Sequence, residues 1–269
     1  VLTFACGPTN SMRGAAYLSG IEDSIIVDIG GTTSDIGYIK SGFPRQSAIA
    51  TDVGGVRTNF RMPDIISIGL GGGSLIRENG NLVGPDSVGF RLSEKALVFG
   101  GDTLTATDIA VKHYDLDIGD KSLVNNLDDS IIKNAKKEIT RLLEDAIDKM
   151  KTSSEKVPAV FVGGGTILNR ENLNGISELV IPDNFAVANA VGAALGQVSG
   201  EVDRVFHYDN LGRDKTIELA TEEAKQLAKD AGAKESSIEI NEINENPLAY
   251  LPGKSVRLQI KAIGDLENY

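Results

Sequence analysis

The chain of 269 residues is 41% hydrophobic and 24% charged, which is typical of a globular protein and excludes a disordered, collagenous or coiled-coil chain. Its 27 basic and 38 acidic residues give a net charge of −11, which disfavours nucleic acid and anionic membranes as partners. One cysteine and two histidines exclude an internal disulfide and a Cys/His zinc cage, so we expect a cytoplasmic protein. Because Val1 is not a start residue and no secretory signal opens the chain, we expect a segment cut from a longer protein.

The first hundred residues predict a short helix, two strands joined by a glycine turn, a third strand and a hairpin. In chain order these elements are residues 13–19, 24–29, 34–40, 43–51 and the pair 75–77 with 82–83. The helix stops at Gly20, a residue that favours helix ends, and Asn79-Gly80 is a strong hairpin signal. Together the strands predict an antiparallel meander at the start of a sheet.

The remaining elements alternate helix and strand up to about residue 202, where the character of the sequence changes. In order they are a helix at 105–112, a long amphipathic helix at 127–151, strands at 159–162 and 179–181, and a small-residue helix at 186–198. A helix at 216–232 and strands at 237–243 and 255–263 follow. We therefore predict one domain over residues 1–202 and a small α+β extension over residues 203–269.

The strongest chemical signal is the run Asp28-Ile-Gly-Gly-Thr-Thr-Ser-Asp35, a strand, a glycine turn with hydroxyls, and a return strand. Backbone amides in such a turn can cradle a phosphate, and the hydroxyls of Thr32 and Thr33 can donate to phosphate oxygens. Asp28 and Asp35 bracket the turn at a spacing that suits a hydrated magnesium ion. From the residues alone, a plain glycine hairpin with capping aspartates remains an equal alternative.

Two further glycine runs follow apolar segments. Ala159-Val-Phe-Val leads into Gly163-Gly164-Gly165-Thr166, a buried strand that we expect to open a helix beside a nucleotide-sized slot. The segment 64–70 leads into Gly71-Gly72-Gly73-Ser74, which predicts either a third backbone anion site or a sharp bend between strands. Neither run fits the dinucleotide fingerprint, and no phosphate-loop motif occurs in the chain.

The order of these motifs resembles the second half of the actin-like (ribonuclease H-like) ATPase fold. More closely, the chain is similar to the hydantoinase A / 5-oxoprolinase family over roughly residues 5–200. The supporting stretches are Gly7-Pro8 with Gly14–Leu18, Asp28–Asp35, Met62–Ser74, Gly80–Gly89, Thr105–Asp108 and Ala188–Ala194.

The resemblance implies an α/β actin-like ATPase domain that uses ATP and Mg²⁺ to open a cyclic amide such as a hydantoin or 5-oxoproline. Asp28 and Asp35 would hold magnesium and water, and Gly30, Gly31, Thr32 and Thr33 would bind phosphate. Gly163, Gly164, Gly165 and Thr166 would line the adenosine side. Asp64 and the run Gly71, Gly72, Gly73 and Ser74 would face the substrate. A companion B-type subunit or a homo-oligomer would be the protein partner.

Three departures separate the chain from the family pattern. Ile66 stands where the family carries a histidine two residues after the aspartate matched to Asp64. The run Phe90–Gly100 replaces the family's Pro-Gly-Pro-Ala-Cys-Tyr-Gly segment. The phosphate hairpin of the first half of the fold does not precede residue 28, so we expect the chain to supply one side of a cleft and to bind nucleotide poorly alone. A small-molecule kinase of the same superfamily and a non-enzymatic, ATP-gated scaffold therefore remain alternatives.

Overall fold

A computed structural model describes residues 6–47, 52–53, 56–57, 63–248 and 253–267. The chain divides into two compact units, Val1–Ala194 and Leu195–Tyr269. The division falls eight residues before the predicted domain boundary, and residue 203 lies inside a strand. Within the described residues, no helix has both the length and the apolar content that a bilayer crossing requires.

The first unit contains five helices and ten strands among its described residues. Its helices are α1 (Cys6–Ser19), α2 (Leu92–Lys95), α3 (Ala106–Tyr114), α4 (Asp129–Met150) and α5 (Ala188–Ala194). Its strands are β1 (Ser24–Ile29), β2 (Ser34–Lys40), β3 (Phe43–Pro44), β4 (Asp52–Val53), β5 (Val56–Arg57), β6 (Ile65–Ile68), β7 (Ser74–Arg77), β8 (Leu82–Ser87), β9 (Val157–Val162) and β10 (Ile176–Val180).

Six of these strands form the central sheet, in the order β10-β9-β1-β2-β3, with β6 also paired to β2. Strands β10, β9 and β1 are parallel, whereas β2 runs antiparallel to β1, as the glycine turn between them predicts. The outer edge of β2 is shared, because β6 pairs with Ser34–Gly37 and β3 pairs with Ile39 and Lys40. The parallel pairing brings the carboxyl ends of β1 and β9 to the same edge of the sheet.

Helices cover both faces of this sheet, and alternation along β1 shows how. Ile25, Val27 and Ile29 are buried in one core cluster with the inward face of α4, whereas Ile26 is buried in the other cluster with α1. Successive side chains of a strand point to opposite faces, so a continuous apolar strand predicts burial on both sides. The 127–151 helix prediction is confirmed, because α4 buries Ile132, Ala135, Ile139, Leu143, Ala146, Ile147 and Met150.

The second unit is a three-stranded antiparallel sheet covered by one long helix. Its elements are β11 (Gln197–His207), α6 (Tyr208–Leu211), α7 (Arg213–Asp230), β12 (Glu239–Pro247) and β13 (Ser255–Asp265). The strand order is β11-β13-β12. Its core consists of Val202, Ala220, Ala224, Ala228, Ala233, Leu258, Ile260 and Ala262.

Several predicted elements differ from the structure. The helix after Gly163 is only a 3₁₀ turn over Gly164–Leu168. The predicted helix at 186–198 ends at Ala194, and Gln197 already begins β11. The predicted helix at 13–19 starts earlier, at Cys6, with Pro8 in its first turn where a missing amide hydrogen costs nothing. Residues 48–51 of the predicted third strand lie outside the described residues.

Candidate functional site

Two carboxylates face each other across β1 and β2, at the edge where both strands meet the glycine turn. Asp28 and Asp35 are register partners in this antiparallel pair. Directly opposed side chains have Cβ atoms about 4.5–5.5 Å apart and lie on the same face of the sheet. Because Ile26 lies on the α1 face, alternation places Asp28, and hence Asp35, on that face too.

The surroundings of the two aspartates differ. Burial raises the pKa of the Asp28 carboxyl, a hydrogen bond from the Ser11 hydroxyl of α1 lowers it, and the charge of Asp35 raises it, so the net shift is upward. Asp35 accepts a hydrogen bond from the Ser67 hydroxyl on β6, its register partner on the other side. Asp35 is therefore held by a serine from a neighbouring strand.

The turn between the aspartates presents unused backbone donors. The Gly30 amide donates to the Thr33 carbonyl at 2.9 Å and closes the turn. Among the described residues, no protein group accepts a hydrogen bond from the amides of Gly31, Thr32 and Thr33, and all three residues are exposed. Exposed consecutive amides in a turn form a concavity that suits an anion.

The second glycine run lies against this turn. Asp28 pairs with Val162 across β1 and β9, so Gly163 follows directly beside it. A Cβ on Gly163 would overlap an Asp28 carboxylate oxygen and the Ile29 carbonyl, and one on Gly165 would lie 2.6 Å from the Gly30 carbonyl oxygen. Gly163 also has a φ of +87°, a conformation that favours glycine. Gly164 is exposed with open space around it, whereas Thr166 is buried and its hydroxyl donates to the Gly163 carbonyl at 2.7 Å.

The third glycine run also lies at the turn, but its amides are already used. Gly72 and Gly73 donate to the Gly30 and Gly31 carbonyls at 3.0 and 2.7 Å, and Gly71 donates to the Ser74 hydroxyl at 2.9 Å. All four residues from Gly71 to Ser74 are buried. The run therefore supports the turn from behind and does not present backbone donors to an anion.

Asp64 is not brought to the aspartate pair. It lies immediately before β6 and three residues before Ser67, which at about 3.3 Å per residue is roughly 10 Å from the register of Asp35. Its carboxylate accepts hydrogen bonds from Nε and Nη2 of Arg45 at 3.0 and 2.7 Å. Nη2 of Arg45 also donates to the Met150 carbonyl at the end of α4. Asp64 is thus part of an ion pair that ties the sheet to α4.

Three residues at the site were not predicted from the sequence: Ser11, Ser67 and Asn189. Ser11 is only 1% exposed, and Nδ2 of Asn189 on α5 donates to its hydroxyl at 3.0 Å. The sequence contains one indication of the position of Ser11. A helix must cover this face of β1, and the small residues of α1 allow that helix to pack closely on the strand. No sequence pattern links Ser11 to a particular aspartate.

This arrangement suits a phosphate together with a hydrated divalent cation. Magnesium is bound in proteins by one or two carboxylates, several waters and substrate phosphates, which is the donor set of the aspartate pair and the turn. Burial and the charge of Asp35 disfavour the ionised form of Asp28 and so raise its pKa. A cation bound beside Asp28 would favour that ionised form. Among the described residues, no group of three or more Asp, Glu, His or Cys side chains could form an all-protein metal cage.

Comparison with known proteins agrees with the geometry. Residues 1–117 match the model of the hydantoinase/oxoprolinase family. The acetophenone carboxylase gamma subunit of Aromatoleum aromaticum is 29% identical over 116 residues, which are 40% of this chain and 16% of that protein. Residues 1–117, which match the family model, contain the aspartate pair, its turn and the Gly71–Ser74 run.

Two solved structures share the fold at low identity. The ATP-dependent caprolactamase from Pseudomonas jessenii superposes with a TM-score of 0.66 at 18% identity, over 97% of this chain and 50% of that one. A nucleotide-free acetone carboxylase, from work on ATP-dependent acetone carboxylation, gives 0.59 at 18% identity, over 97% and 49%. This chain therefore spans about half the length of either structure and a sixth of the gamma subunit.

The match of residues 1–117 and the superposition of both units agree with the resemblance drawn from the motifs. The chain has the α/β fold of the actin-like ATPases, and its residues 1–117 are similar to the hydantoinase/oxoprolinase family.

Proposed function

We propose that this chain forms one wall of a Mg-ATP site in an ATP-dependent enzyme that opens a cyclic amide such as a hydantoin or 5-oxoproline. This class of activity is supported by the fold and by the match of residues 1–117 to the hydantoinase/oxoprolinase family model. It is also supported by the name of the similar structure, an ATP-dependent caprolactamase. In this proposal the turn Gly30–Thr33 receives the phosphates, and Gly163–Gly165 line the adenosine side. Gly71–Ser74 hold the turn in place. In this proposal they do not make the ligand contact that the sequence predicts for them.

One observation carries the proposal. Residues 30 and 165 are 135 positions apart in the sequence, yet a Cβ on Gly165 would come within 2.6 Å of the Gly30 carbonyl oxygen. Glycine at these positions permits the two turns to lie side by side, so both can contact one ligand. Two turns with a purely structural role would not need exposed backbone amides without hydrogen-bond partners at the same edge of the sheet.

Asp28 and Asp35 are the residues that would hold the cation, through their carboxylates and intervening waters. When bound, a magnesium ion neutralises phosphate charge and favours phosphoryl transfer. The amides of Gly31, Thr32 and Thr33 would orient the phosphate oxygens. Because these donors are fixed before the ligand arrives, they need no reorganisation during the reaction.

The proposed chemistry is activation of the ring carbonyl. The carbonyl oxygen of the cyclic amide attacks the γ-phosphorus of ATP, the bond to the bridging oxygen breaks, and ADP leaves. Water then adds to the activated carbon, and cleavage of the ring C–N bond releases the amine and leaves an acyl phosphate. A second water hydrolyses the acyl phosphate to a carboxylate and inorganic phosphate. This chain would position the phosphates, while residues facing the cyclic amide remain to be identified.

A second candidate is ATP-dependent carboxylation of a ketone. It is favoured by the sequence similarity to an acetophenone carboxylase subunit and by the superposition with acetone carboxylase. Phosphorylation of the ketone oxygen would activate the substrate in this reaction too. The same wall of a Mg-ATP site therefore suits both candidate reactions. The word subunit in the name of the relative also supports a companion polypeptide for this protein.

The test uses the protein at its full natural length, with and without a B-type companion subunit. Release of ADP and phosphate is measured with hydantoin, 5-oxoproline or caprolactam, and separately with acetone or acetophenone plus bicarbonate. We expect turnover that depends on a cyclic amide. Dependence on ketone and bicarbonate supports the second candidate, whereas a phosphorylated small molecule indicates a kinase and slow, partner-regulated ATPase a scaffold.

The matched variant is Asp28→Ala, for which we expect loss of turnover with the fold retained, measured by circular dichroism. Asp145→Ala is the control, because that exposed carboxylate pairs with Arg141 on α4 away from the turn. Unchanged turnover in purified Asp28→Ala would contradict the metal-holding role of Asp28.

A further inference from the structure

A buried lysine and a buried asparagine join α4 to the glycine turn that follows β9. Nζ of Lys136, on α4, donates to Oδ1 of Asn169 at 2.6 Å. The two residues are 8% and 0% exposed. Asn169 directly follows the 3₁₀ turn over Gly164–Leu168, so this hydrogen bond connects the helix to the far end of that turn.

The hydrogen bonds of Asn169 leave its side chain a single orientation. Nδ2 of Asn169 donates to the Glu171 carbonyl at 2.7 Å, while Oδ1 accepts from Lys136. An ammonium group can only donate and a carbonyl can only accept, so a reversed amide would lose both bonds. The side chain of Asn169 is therefore fixed at both of its polar atoms.

Further hydrogen bonds lead from Asn169 back to Gly163. The Asn169 amide donates to the Thr166 carbonyl at 3.3 Å. The amide and the hydroxyl of Thr166 donate to the Gly163 carbonyl at 3.1 and 2.7 Å. Gly163 is the residue whose Cβ would overlap an Asp28 carboxylate oxygen. A continuous series of contacts therefore runs from α4 to the edge where the two glycine turns meet.

Helix α3 supports the same end of the turn. The Tyr114 hydroxyl accepts a hydrogen bond from the Arg170 amide at 3.3 Å. The Lys136 ammonium lies 5.2 Å from the centre of the Tyr114 ring. Because Asn169 is bonded to α4 and its neighbour Arg170 to α3, two helices fix the backbone where the turn ends.

The stability of the core does not explain a lysine at position 136. Among the described residues, no carboxylate forms an ion pair with Lys136, and Asn169 accepts the one hydrogen bond that its ammonium donates. Taking a charge out of water is costly, and an apolar side chain of similar volume often serves a core equally well. A fixed geometry for the turn explains the lysine better.

We propose that Lys136 and Asn169 are positioning residues that hold the Gly163–Gly165 backbone in the conformation that receives adenosine. This inference rests on the proposed Mg-ATP site, in which these glycines line the adenosine side. Neither side chain touches the ligand in this proposal. Lys136 acts through Asn169, and Asn169 acts through Thr166 on Gly163.

The test compares two ligands by calorimetric titration of the full-length protein in the presence of Mg²⁺. A non-hydrolysable ATP analogue reaches both turns, whereas inorganic tripolyphosphate offers the phosphates alone. A hydrogen bond from a charged donor is stronger than a neutral one, so we expect Lys136→Met to weaken binding of the analogue about tenfold. Tripolyphosphate binding should stay within about twofold of the wild type, because the Gly30–Thr33 turn receives the phosphates.

A double-mutant cycle tests whether the two residues act through one hydrogen bond. We expect Asn169→Leu to weaken binding of the analogue about tenfold, and the variant with both substitutions to bind no more weakly than Lys136→Met alone. Lys137→Met is the matched control, because Lys137 is the exposed neighbour on the same helix, and its affinities should equal those of the wild type. Lys136→Met leaves no buried charge unpaired, so it should keep its circular dichroism spectrum even where Asn169→Leu unfolds.

The outcomes separate the positioning role from the proposed function. A wild-type protein that does not bind both ligands overturns the proposed function and this inference together. With wild-type binding of both, an unchanged affinity of Lys136→Met for the analogue overturns the positioning role alone. Equal losses for the analogue and for tripolyphosphate also overturn it, because the damage is then general. An additive loss in the double variant overturns the action through one hydrogen bond.

Discussion

At the scale of single residues, Ser24 is a buried hydroxyl at the start of β1. It is fully buried, and no group among the described residues bonds its Oγ. An unsatisfied buried polar group costs about 1–3 kcal/mol, so removing it should stabilise the fold. We expect Ser24→Ala to raise the free energy of unfolding by about 1 kcal/mol. Urea denaturation checks this, and a destabilised variant would show that the hydroxyl has a partner in solution.

Lys136 is the other buried polar residue that makes a quantitative prediction. Its ammonium group is buried, donates to Oδ1 of Asn169 at 2.6 Å and lies over the Tyr114 ring. Burial lowers the pKa of Lys136 below its ordinary value of 10.5, and the charge of Glu171 offsets part of that shift. At pH values between the lowered pKa of Lys136 and 10.5, Lys136 is protonated in the unfolded chain but largely deprotonated in the folded one. The unfolded chain therefore binds more protons in this interval.

Stability should therefore rise with pH through that interval, since the slope follows the protons bound by the unfolded state minus those bound by the folded state. We expect Lys136→Met to remove this rise and the exposed neighbour Lys137→Met to keep it. Urea midpoints are compared below pH 10, because the pKa of Tyr114 is raised to about 12 and acts with the opposite sign above that pH. Equal slopes in wild type and Lys136→Met would contradict the assignment.

At the scale of elements, the junction after β9 depends on one glycine. Gly163 has a positive φ and no room for a Cβ beside Asp28, whereas Gly164 has open space and an ordinary φ. We expect Gly163→Ala to destabilise the first unit by more than about 2 kcal/mol, from backbone strain and overlap combined. Gly164→Ala should stay within about 0.5 kcal/mol of the wild type. Thermal unfolding of both variants checks the contrast, and equal costs would contradict the close approach of the two turns.

Some helices and strands could be predicted well from the sequence. Continuous apolar strands and the three-and-four spacing of α4 are local patterns, so β1, β9 and α4 were predicted correctly. Strand β11 was missed because its alternation of Val198, Val202 and Phe206 is interrupted by a glycine and an arginine. Gly200 is glycine because the α7 backbone packs on it, a contact with residues 224–228 that no local pattern reveals.

The site was predictable only in part, for the same reason. The two motifs are visible in the sequence, and parallel strand pairing explains why they meet. The internal use of the Gly72 and Gly73 amides, the Arg45–Asp64 ion pair and the Ser67–Asp35 hydrogen bond all depend on tertiary packing. Glycine runs look alike in sequence, whether they present amides to a ligand or support another turn.

At the scale of the whole molecule, each compact unit has its own core. In the second unit Leu258 is fully buried on the central strand β13, and Val205 on β11 is 42% exposed. We expect Leu258→Ala to destabilise this unit by about 2–5 kcal/mol, from lost burial and the cavity left behind. Hydrogen exchange of the β11 and β13 amides measures the effect. Val205→Ala should change that exchange little, and comparable effects of the two variants would contradict the core assignment.

The central claim is that two distant glycine turns line one nucleotide site. The most direct measurement is a structure of the full-length protein with Mg²⁺ and a non-hydrolysable ATP analogue. The account predicts phosphate oxygens within hydrogen-bond distance of the Gly31 and Thr32 amides, the cation beside Asp28 and Asp35, and adenosine next to Gly164. A nucleotide that contacts only one of the two turns, or binds elsewhere, would contradict it.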